Sequence, residues 1–308
     1  MAHGLELHKK GKTMERLYKP QMERTPDRQY QDRLATILKN GIMARDTPQG
    51  KGALTCFGNL RPMEFDMRNG APFITERSVT NFWQKPIAEI IAFINGARTI
   101  EEIEEYGNDY WGDYRGGGTA LGLKPNDMGP GSYGAAFHDF EIPESGTLNQ
   151  FEQLLEQIKN YPNVRTHLVT PWKPYYTARG PGRKVIVAPC HGWLHFRVLG
   201  GKLHMRMDQR SADFPVGVPS NMIQYSALFL MICQITGYEP GNYTHSFADA
   251  HIYEDQVDKV KTLILRDPMP FPKLQLDTRV KNLFDFRVEH FTLEEYVSHP
   301  GMKMPYSP

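Results

Sequence analysis

The sequence lacks a surplus of charge of either sign. Its 308 residues include 36 Lys and Arg against 35 Asp and Glu, so the formal net charge is +1. A protein that binds nucleic acid through bulk charge is strongly basic, so a nucleic-acid partner is not expected. Long apolar runs are lacking as well. The longest spans seven residues, 227–233, whereas a membrane-spanning helix needs about 20, and no membrane span is predicted.

Cysteine is scarce, with three residues far apart in the chain, Cys56, Cys190 and Cys233. Three such cysteines cannot form a closed disulfide framework, which favours a reducing compartment and a cytoplasmic location. The 11 histidines do not combine with cysteines or carboxylates at zinc spacings, so no metal is expected. The chain also lacks a phosphate-binding loop and a dinucleotide fingerprint.

Apolar spacing and turn residues predict one α+β domain. Helical spacing predicts helices over 30–42, 86–96, 151–159, 219–236 and 251–265. Strand patterns predict a pair within 53–65 and strands over 164–172, 184–187, 193–198 and 203–207, with a hairpin turn at 200–201. Residues 114–136 are expected to form an irregular loop. The predicted fold is a large mixed β-sheet with a long buried helix over residues 29–308, preceded by a basic N-terminal arm, residues 1–28.

Cys190 is the first candidate for chemistry. It lies in the motif Ala188-Pro-Cys-His191, directly after an apolar segment. Pro189 ends that segment, so the thiol can face a cavity, and His191 and Arg210 are polar and basic groups that can stabilise a thiolate. The alternative is inert packing, which is the usual role of a free cysteine.

Two further motifs carry polar groups suited to a nucleotide. The segment Gln209-Arg-Ser211 combines charge with hydrogen-bond donors, which suits a phosphate. Asn221 near the start of the apolar helix has one acceptor and two donors, although it could instead cap that helix. His251 and Tyr253 alternate along an extended stretch and therefore share one side, which would also fit an ordinary surface pair.

Taken together, these motifs resemble the thymidylate synthase family in order and in spacing. The matching segments are Pro-Cys-His191, Gln-Arg-Ser-x-Asp213, Gly217-x-Pro-x-Asn221 and Asp-x-His-x-Tyr253, and the match extends to 266–274 and 296–303. Upstream, 57–58, Glu89 within an apolar helix, 111–114 and 129–134 resemble the first half of the family's sequence. The resemblance covers residues 30–304. It implies the family's fold, a homodimer with a shared active site, and one-carbon transfer from 5,10-methylenetetrahydrofolate to a pyrimidine nucleoside monophosphate.

The resemblance also implies which residues carry the reaction. Cys190 would add as a thiolate to C6 of the pyrimidine, and C5 would then attack the methylene carbon of the folate. Glu89 would handle protons around the base. The other catalytic residues implied are Asp213, Tyr133 and His191.

Substrate contacts follow from the same resemblance. Asn221 would read the uracil edge, which favours dUMP over dCMP or CMP. The residues implied in nucleotide binding are Gln209, Arg210, Ser211, Asn221, His251, Tyr253 and Lys51. Arg165 of the partner subunit is implied as well. Those implied at the folate are Trp111, Tyr114, Asp213 and Gly217.

The sequence departs from the family's pattern at several of these positions. Residues 47–51 read Thr-Pro-Gln-Gly-Lys where the family has Asp-Arg-Thr-Gly-Thr, so an arginine is missing and Lys51 or Arg45 is its expected substitute. A pair of arginines becomes Arg165-Thr166, and the second tryptophan of Trp-x-x-Trp becomes Tyr114. Residues 192–196 also differ, and the tail 305–308 is polar where the family has a small apolar residue.

These departures predict a nucleotide hydroxymethylase. A closed lid excludes water from an active site, so a polar tail and Tyr114 favour attack of water on the one-carbon unit. Hydroxymethylases of this kind occur in nucleoside-antibiotic pathways and in DNA-modifying phages, whose enzymes act in the host cytoplasm. The alternatives are an ordinary thymidylate synthase, a hydroxymethylase acting on dCMP or CMP, and a non-catalytic homologue that binds a nucleotide or RNA.

Overall fold

Helices and strands alternate irregularly along the chain. The computed structural model describes residues 17–142, 144 and 146–306. The strands in this part are β1 (Ile42–Ala44), β2 (Ala53–Phe57), β3 (Met63–Asp66), β4 (Phe140–Ile142), β5 (Gly146–Leu148), β6 (Leu168–Val169), β7 (Trp193–Leu199), β8 (Lys202–Asp213), β9 (Glu239–Tyr253), β10 (Lys273–Leu276) and β11 (Phe291–Glu294). The α-helices are α1 (Gln29–Asn40), α2 (Gln84–Ile94), α3 (Ile100–Glu105), α4 (Tyr133–His138), α5 (Gln150–Asn160), α6 (Pro174–Thr177), α7 (Gly217–Thr236) and α8 (Val257–Leu263).

The main sheet is mixed and confirms the predicted α+β fold. Its order is β1-β2-β9-β8-β7-β6. β3 pairs with residues 242–245 near the start of β9, whereas β2 pairs with residues 249–253 at its end. β8 and β9 run parallel, whereas β7 and β8 form the predicted antiparallel hairpin around residues 200–201. A parallel pair needs a long crossover, and α7 supplies it. The carboxyl end of β8, the start of α7 and the end of β9 therefore lie together.

Helix α7 is the long buried helix that the sequence predicts. Fifteen of its 20 residues are buried, as expected of a helix that is apolar on all sides. It ends at Gly237, whose φ of 78° lies in the left-handed region that glycine adopts without strain. Helix α2 packs beside it and buries Glu89 among apolar neighbours. No helix in the described part of the chain is long and apolar enough to cross a bilayer.

Residues 17–28 contact the domain. The Tyr18 hydroxyl donates to the Leu274 carbonyl at 3.0 Å, and the Arg24 guanidinium donates to the Phe271 carbonyl and pairs with Glu295. The remainder of the predicted basic arm, residues 1–16, lies outside the described residues. The domain boundary at residue 28 stays a prediction.

Several predicted elements are wrong. β2 and β3 do not pair with each other, because each pairs with β9. Of the strand predicted over 164–172 two residues form a strand, and 184–187 form none. The helix predicted over 251–265 is limited to α8, because residues up to 253 belong to β9. The loop predicted over 114–136 contains short 3-10 turns, and α4 begins within it.

Candidate active site

The loop that carries Cys190 is held between β8 and α4. The Cys190 carbonyl accepts hydrogen bonds from the backbone N–H groups of Arg210, at 2.7 Å, and Ser211, at 3.3 Å. On the other side the Tyr133 hydroxyl accepts from the N–H of Cys190, at 2.7 Å, and of His191, at 3.3 Å. Gly192 follows with a φ of 98°, and a Cβ there would lie 2.8 Å from the Tyr225 hydroxyl. The backbone of this loop is therefore fixed on both sides.

The Cys190 thiol is partly buried and faces a cation. Burial raises the pKa of Cys190 above its usual value, and the nearby Arg210 guanidinium opposes that rise. Arg210 Nη2 lies 3.3 Å from Sγ and can donate to it. Cys56 and Cys233 are both buried, and burial raises the pKa of each without an opposing cation. Among the three cysteines, Cys190 is the one placed to become a thiolate.

Arg210 is oriented by its surroundings while remaining exposed. Its Nε donates to the Pro189 carbonyl at 3.0 Å and its Nη2 to the Ala188 carbonyl at 3.1 Å, and the guanidinium lies over the Trp172 ring. Ser211 follows on β8 and pairs in register with Asp249 of β9. A preoriented guanidinium beside a hydroxyl can bind an anion such as phosphate.

His191 is neutral. Burial and the Arg210 charge lower the pKa of His191 to about 3. Its Nδ1 lies 2.7 Å from the Tyr225 hydroxyl, and its ring stacks on Tyr133 with centroids 4.8 Å apart. An uncharged imidazole cannot stabilise the thiolate by charge. Of the two residues predicted to stabilise it, Arg210 is therefore the one that supplies a charge.

Glu89 is a buried carboxyl with two donors. Its Oε1 accepts from the Trp111 indole at 2.8 Å, and its Oε2 accepts from the Gln224 amide at 3.0 Å. Burial raises the pKa of Glu89 to about 7, and these two hydrogen bonds oppose the rise. A carboxyl poised near neutral pH is suited to proton transfer in either direction.

Asn221 lies in a row of side-chain amides. Its Nδ2 donates to Gln224 Oε1 at 3.0 Å, and its Oδ1 accepts from Gln209 Nε2 at 3.0 Å. These side-chain hydrogen bonds therefore connect residues across the site, and Asn221 does not cap α7. Two members of this network, Gln224 and His245, were not predicted from the sequence. His245 Nε2 lies 2.8 Å from Gln209 Oε1. Gln224 could have been found, since it lies three residues after Asn221 and shares its helix face.

Asp213 lies where β8 ends, close to the end of β9. Gln256 Nε2 is 3.2 Å from each of its carboxylate oxygens and 3.0 Å from the carbonyl of Pro305 in the tail. Burial raises the pKa of Asp213 to about 6. Register pairing sets His251 beside Asp213, and the His251 and Tyr253 rings meet edge to face at 5.1 Å.

Of the residues expected at the folate, Tyr114 lies close to the tail, and Asp213 is linked to the tail through Gln256. The Trp111 and Tyr114 rings are 5.7 Å apart, and the Tyr306 hydroxyl of the tail lies close enough to the Tyr114 hydroxyl to influence its pKa. Gly217 begins α7, where a Cβ would lie 3.8 Å from Asn221 Oδ1. Two adjacent aromatic rings offer a flat apolar surface that fits a planar heterocycle. Residues 307–308 lie outside the described part.

Two residues predicted to bind the substrate, Lys51 and Arg165, lie apart from the cluster of residues around Cys190 in the same chain. Lys51 Nζ forms an ion pair with Asp255 at 2.5 Å. Arg165 lies beside β6, and its carbonyl accepts from His195 at 3.1 Å. Among the described residues, neither side chain bonds to any member of the Cys190 cluster.

The cluster joins a nucleophile, an anion-binding pair, a buried carboxyl and an amide row. Comparison with protein families gives a match over most of the chain. The family model described as thymidylate synthase matches residues 28–308. The matched span contains every residue of the cluster.

Proposed function

The chain belongs to the thymidylate synthase family, and we propose that it is a folate-dependent hydroxymethylase acting on C5 of dUMP. The family transfers a one-carbon unit to a pyrimidine nucleotide and uses 5,10-methylenetetrahydrofolate as its co-substrate. The coarse activity, one-carbon transfer, follows from membership. The identity of the nucleotide and the fate of the one-carbon unit are the proposed parts.

In the proposed complex the nucleotide spans the cluster from phosphate to base. The phosphate binds Arg210 and Ser211, which are oriented and accessible at the end of β8. Lys51 and Arg165 of the partner subunit add charge. His251 and Tyr253 contact the ribose, and Gln209 and Asn221 face the base. The near-zero net charge of the chain fits this arrangement, because local cations suffice for one phosphate.

The proposed chemistry uses Cys190 twice. The Sγ–C6 bond forms first, and the electron pair of the C5–C6 double bond makes C5 a nucleophile. C5 bonds to the methylene carbon and loses its proton, and tetrahydrofolate leaves, so that an exocyclic methylene remains. Water then adds to that methylene, the Sγ–C6 bond breaks, and 5-hydroxymethyl-dUMP is released. Glu89 is the group that exchanges protons with the base. No electron donor is needed, since nothing is reduced.

One observation carries the hydroxymethylase proposal. The Tyr114 ring lies 5.7 Å from the Trp111 ring, and the Tyr114 hydroxyl is close to the Tyr306 hydroxyl of the tail. Two polar groups at that point can hold a water molecule close to where the one-carbon unit would lie. A synthase must keep water away from the same position.

A second observation favours the alternative, a thymidylate synthase. Gln256 joins the Pro305 carbonyl of the tail to Asp213, so the tail already lies against the folate side of the cluster. A tail held closed would exclude water. Tetrahydrofolate would then deliver a hydride to the exocyclic methylene, giving dTMP and dihydrofolate.

Product analysis distinguishes the two. Purified protein is incubated with dUMP and methylenetetrahydrofolate, while dihydrofolate is followed by absorbance and the nucleotide by mass spectrometry. We expect the nucleotide to gain one CH₂O unit with no dihydrofolate. A gain of CH₂ with stoichiometric dihydrofolate would identify a synthase. Parallel reactions with dCMP and CMP test the base and the sugar, and a Cys190→Ala variant should show no turnover with any of them. Unchanged turnover in that variant would exclude the Cys190 mechanism.

We further propose that the enzyme works as a homodimer. One face of the main sheet leaves side chains exposed, including Arg206 on β8 and Leu168 on β6. Arg165 stands at the same edge, apart from the cluster of its own chain. Mixing inactive Cys190→Ala and Arg165→Ala subunits should restore activity, because one shared site per mixed dimer would be intact. No restoration by a dimer shown to mix would contradict a shared site.

A further inference from the structure

A continuous row of hydrogen bonds crosses the site beneath the position proposed for the base. It begins at His245 on β9 and passes through Gln209 on β8, Asn221 and Gln224 on α7, to Glu89 on α2. The donor–acceptor distances along it are 2.8, 3.0, 3.0 and 3.0 Å. All five residues are buried, so water does not compete freely for these bonds. Two strands and two helices thus share one polar network.

The direction of this row is fixed at the Glu89 end. An ionised carboxylate can only accept hydrogen bonds, and an indole N–H can only donate. The Trp111 indole occupies Glu89 Oε1, so that while Glu89 is ionised Gln224 turns its NH₂ group toward Oε2. The carbonyl of Gln224 then faces Asn221 and accepts from it.

The direction is fixed a second time at the other end. Gln209 Nε2 lies 2.9 Å from the backbone carbonyl of Ser211, which can only accept. The same NH₂ group reaches Asn221 Oδ1. The carbonyl of Gln209 accepts from His245 Nε2, which leaves His245 Nδ1 without a partner among the described residues, as a neutral Nε2–H ring permits. Both ends require the same orientation of Asn221.

With its amide held in this way, Asn221 retains one N–H and one lone pair for a ligand. An N–H beside an acceptor matches a 4-keto pyrimidine with a protonated N3, as in uracil. Cytosine presents the reverse pattern, a donor at the 4-position and an acceptor at N3. Turning the Asn221 amide over would set NH₂ against NH₂ at Gln209 and carbonyl against carbonyl at Gln224. Two buried bonds would be replaced by two repulsive contacts.

We propose that Gln224 is a specificity-determining positioning residue, which holds the Asn221 amide in the orientation that reads uracil. This inference rests on the proposed function, because it assumes that Asn221 faces the pyrimidine. Gln224 itself is fully buried, and both ends of its amide bond to members of the row. Its role is to connect the carboxylate that fixes the direction to the amide that reads the base.

The test compares Gln224→Met with Gln234→Met. Methionine has nearly the shape of glutamine but lacks the amide. Gln234 lies on the same helix and donates to the carbonyls of Asp277 and Val280 at 2.9 Å each, so its variant also loses buried amide bonds. Dissociation constants for dUMP and dCMP are measured by calorimetry without folate, and kcat and KM for both nucleotides are measured with it. Thermal melts check that each variant folds.

We expect Gln224→Met to reduce the preference for dUMP over dCMP by about tenfold or more, since each misplaced hydrogen bond is worth about that factor. Gln234→Met should keep the wild-type preference while melting at a lower temperature. An unchanged preference in folded Gln224→Met would overturn the assignment. If that variant does not fold, the preference of Gln224→Leu, which also lacks the amide, decides in the same way. A wild-type protein that binds dUMP selectively without turning it over would refute the proposed reaction and leave this inference standing.

Discussion

Replacing Tyr133 with Phe removes one hydroxyl and keeps the ring. That hydroxyl accepts hydrogen bonds from the backbone N–H of Cys190 at 2.7 Å and of His191 at 3.3 Å. The ring contacts with Phe93 and His191, with centroids 4.6 and 4.8 Å apart, remain possible for phenylalanine. The variant therefore isolates the support that one hydroxyl gives to the nucleophile loop.

Two consequences are expected from the lost bonds. A buried N–H left without a partner costs about 1–3 kcal/mol, and the longer bond to His191 contributes less. The free energy of unfolding should fall by roughly that amount. The loop can recover part of it by moving to admit water, but Sγ then shifts, and displacement by about 1 Å can cost about 100-fold in rate. We expect kcat to fall roughly 10- to 100-fold.

The assay measures kcat with saturating dUMP and folate, together with urea unfolding. Tyr243→Phe is the matched control, because Tyr243 is fully buried and its hydroxyl has no hydrogen-bond partner among the described residues. The control should keep its stability and its kcat. Wild-type kcat in Tyr133→Phe, or an equal loss in the control, would refute the claim that this hydroxyl positions Cys190.

Three other perturbations have expected results. Arg210→Gln should slow alkylation of Cys190 by iodoacetamide at pH 8, because the guanidinium lowers the thiol pKa; an unchanged rate would contradict this. Gln256→Leu should raise KM for the folate about tenfold with little change in KM for dUMP, because Asp213 and the tail lose their link. Steady-state kinetics measures both constants, and a rise in KM for dUMP with unchanged KM for the folate would contradict this. At pH values below about 7 the rate of turnover should decrease, because burial raises the pKa of Glu89 to about 7 and the protonated carboxyl no longer anchors the amide row. A pH–rate profile that is flat between pH 5 and 8 would contradict that.

The fold was predictable where local pattern and tertiary burial agree. Helix α7 is apolar on every side and ends at a glycine, so its position follows from sequence alone. β9 was missed, although at 15 residues it is the longest strand of the described part. Its segment contains Pro240 and Gly241, which disfavour strands. Pairing with β2, β3 and β8 overrides that local preference, and such pairing cannot be read from the segment itself.

The candidate site was predictable as a set of residues but not as a network. Motif order identified Cys190, Arg210 and Asn221, and these meet around the ends of β8 and β9. Gln224 and Gln256 carry no recognisable motif, and their importance arises from which atoms they join. The neutral state of His191 likewise depends on its burial in the fold. Charge and hydrogen-bond direction are properties of the folded arrangement, so sequence spacing could not supply them.

The central claim is that water completes the reaction on dUMP. The most direct measurement runs a single batch of dUMP and methylenetetrahydrofolate in heavy-oxygen water and analyses the nucleotide product by mass spectrometry. We expect 5-hydroxymethyl-dUMP whose new hydroxyl carries the solvent's heavy oxygen, with tetrahydrofolate released. A product without solvent oxygen, dTMP accompanied by dihydrofolate, would contradict it.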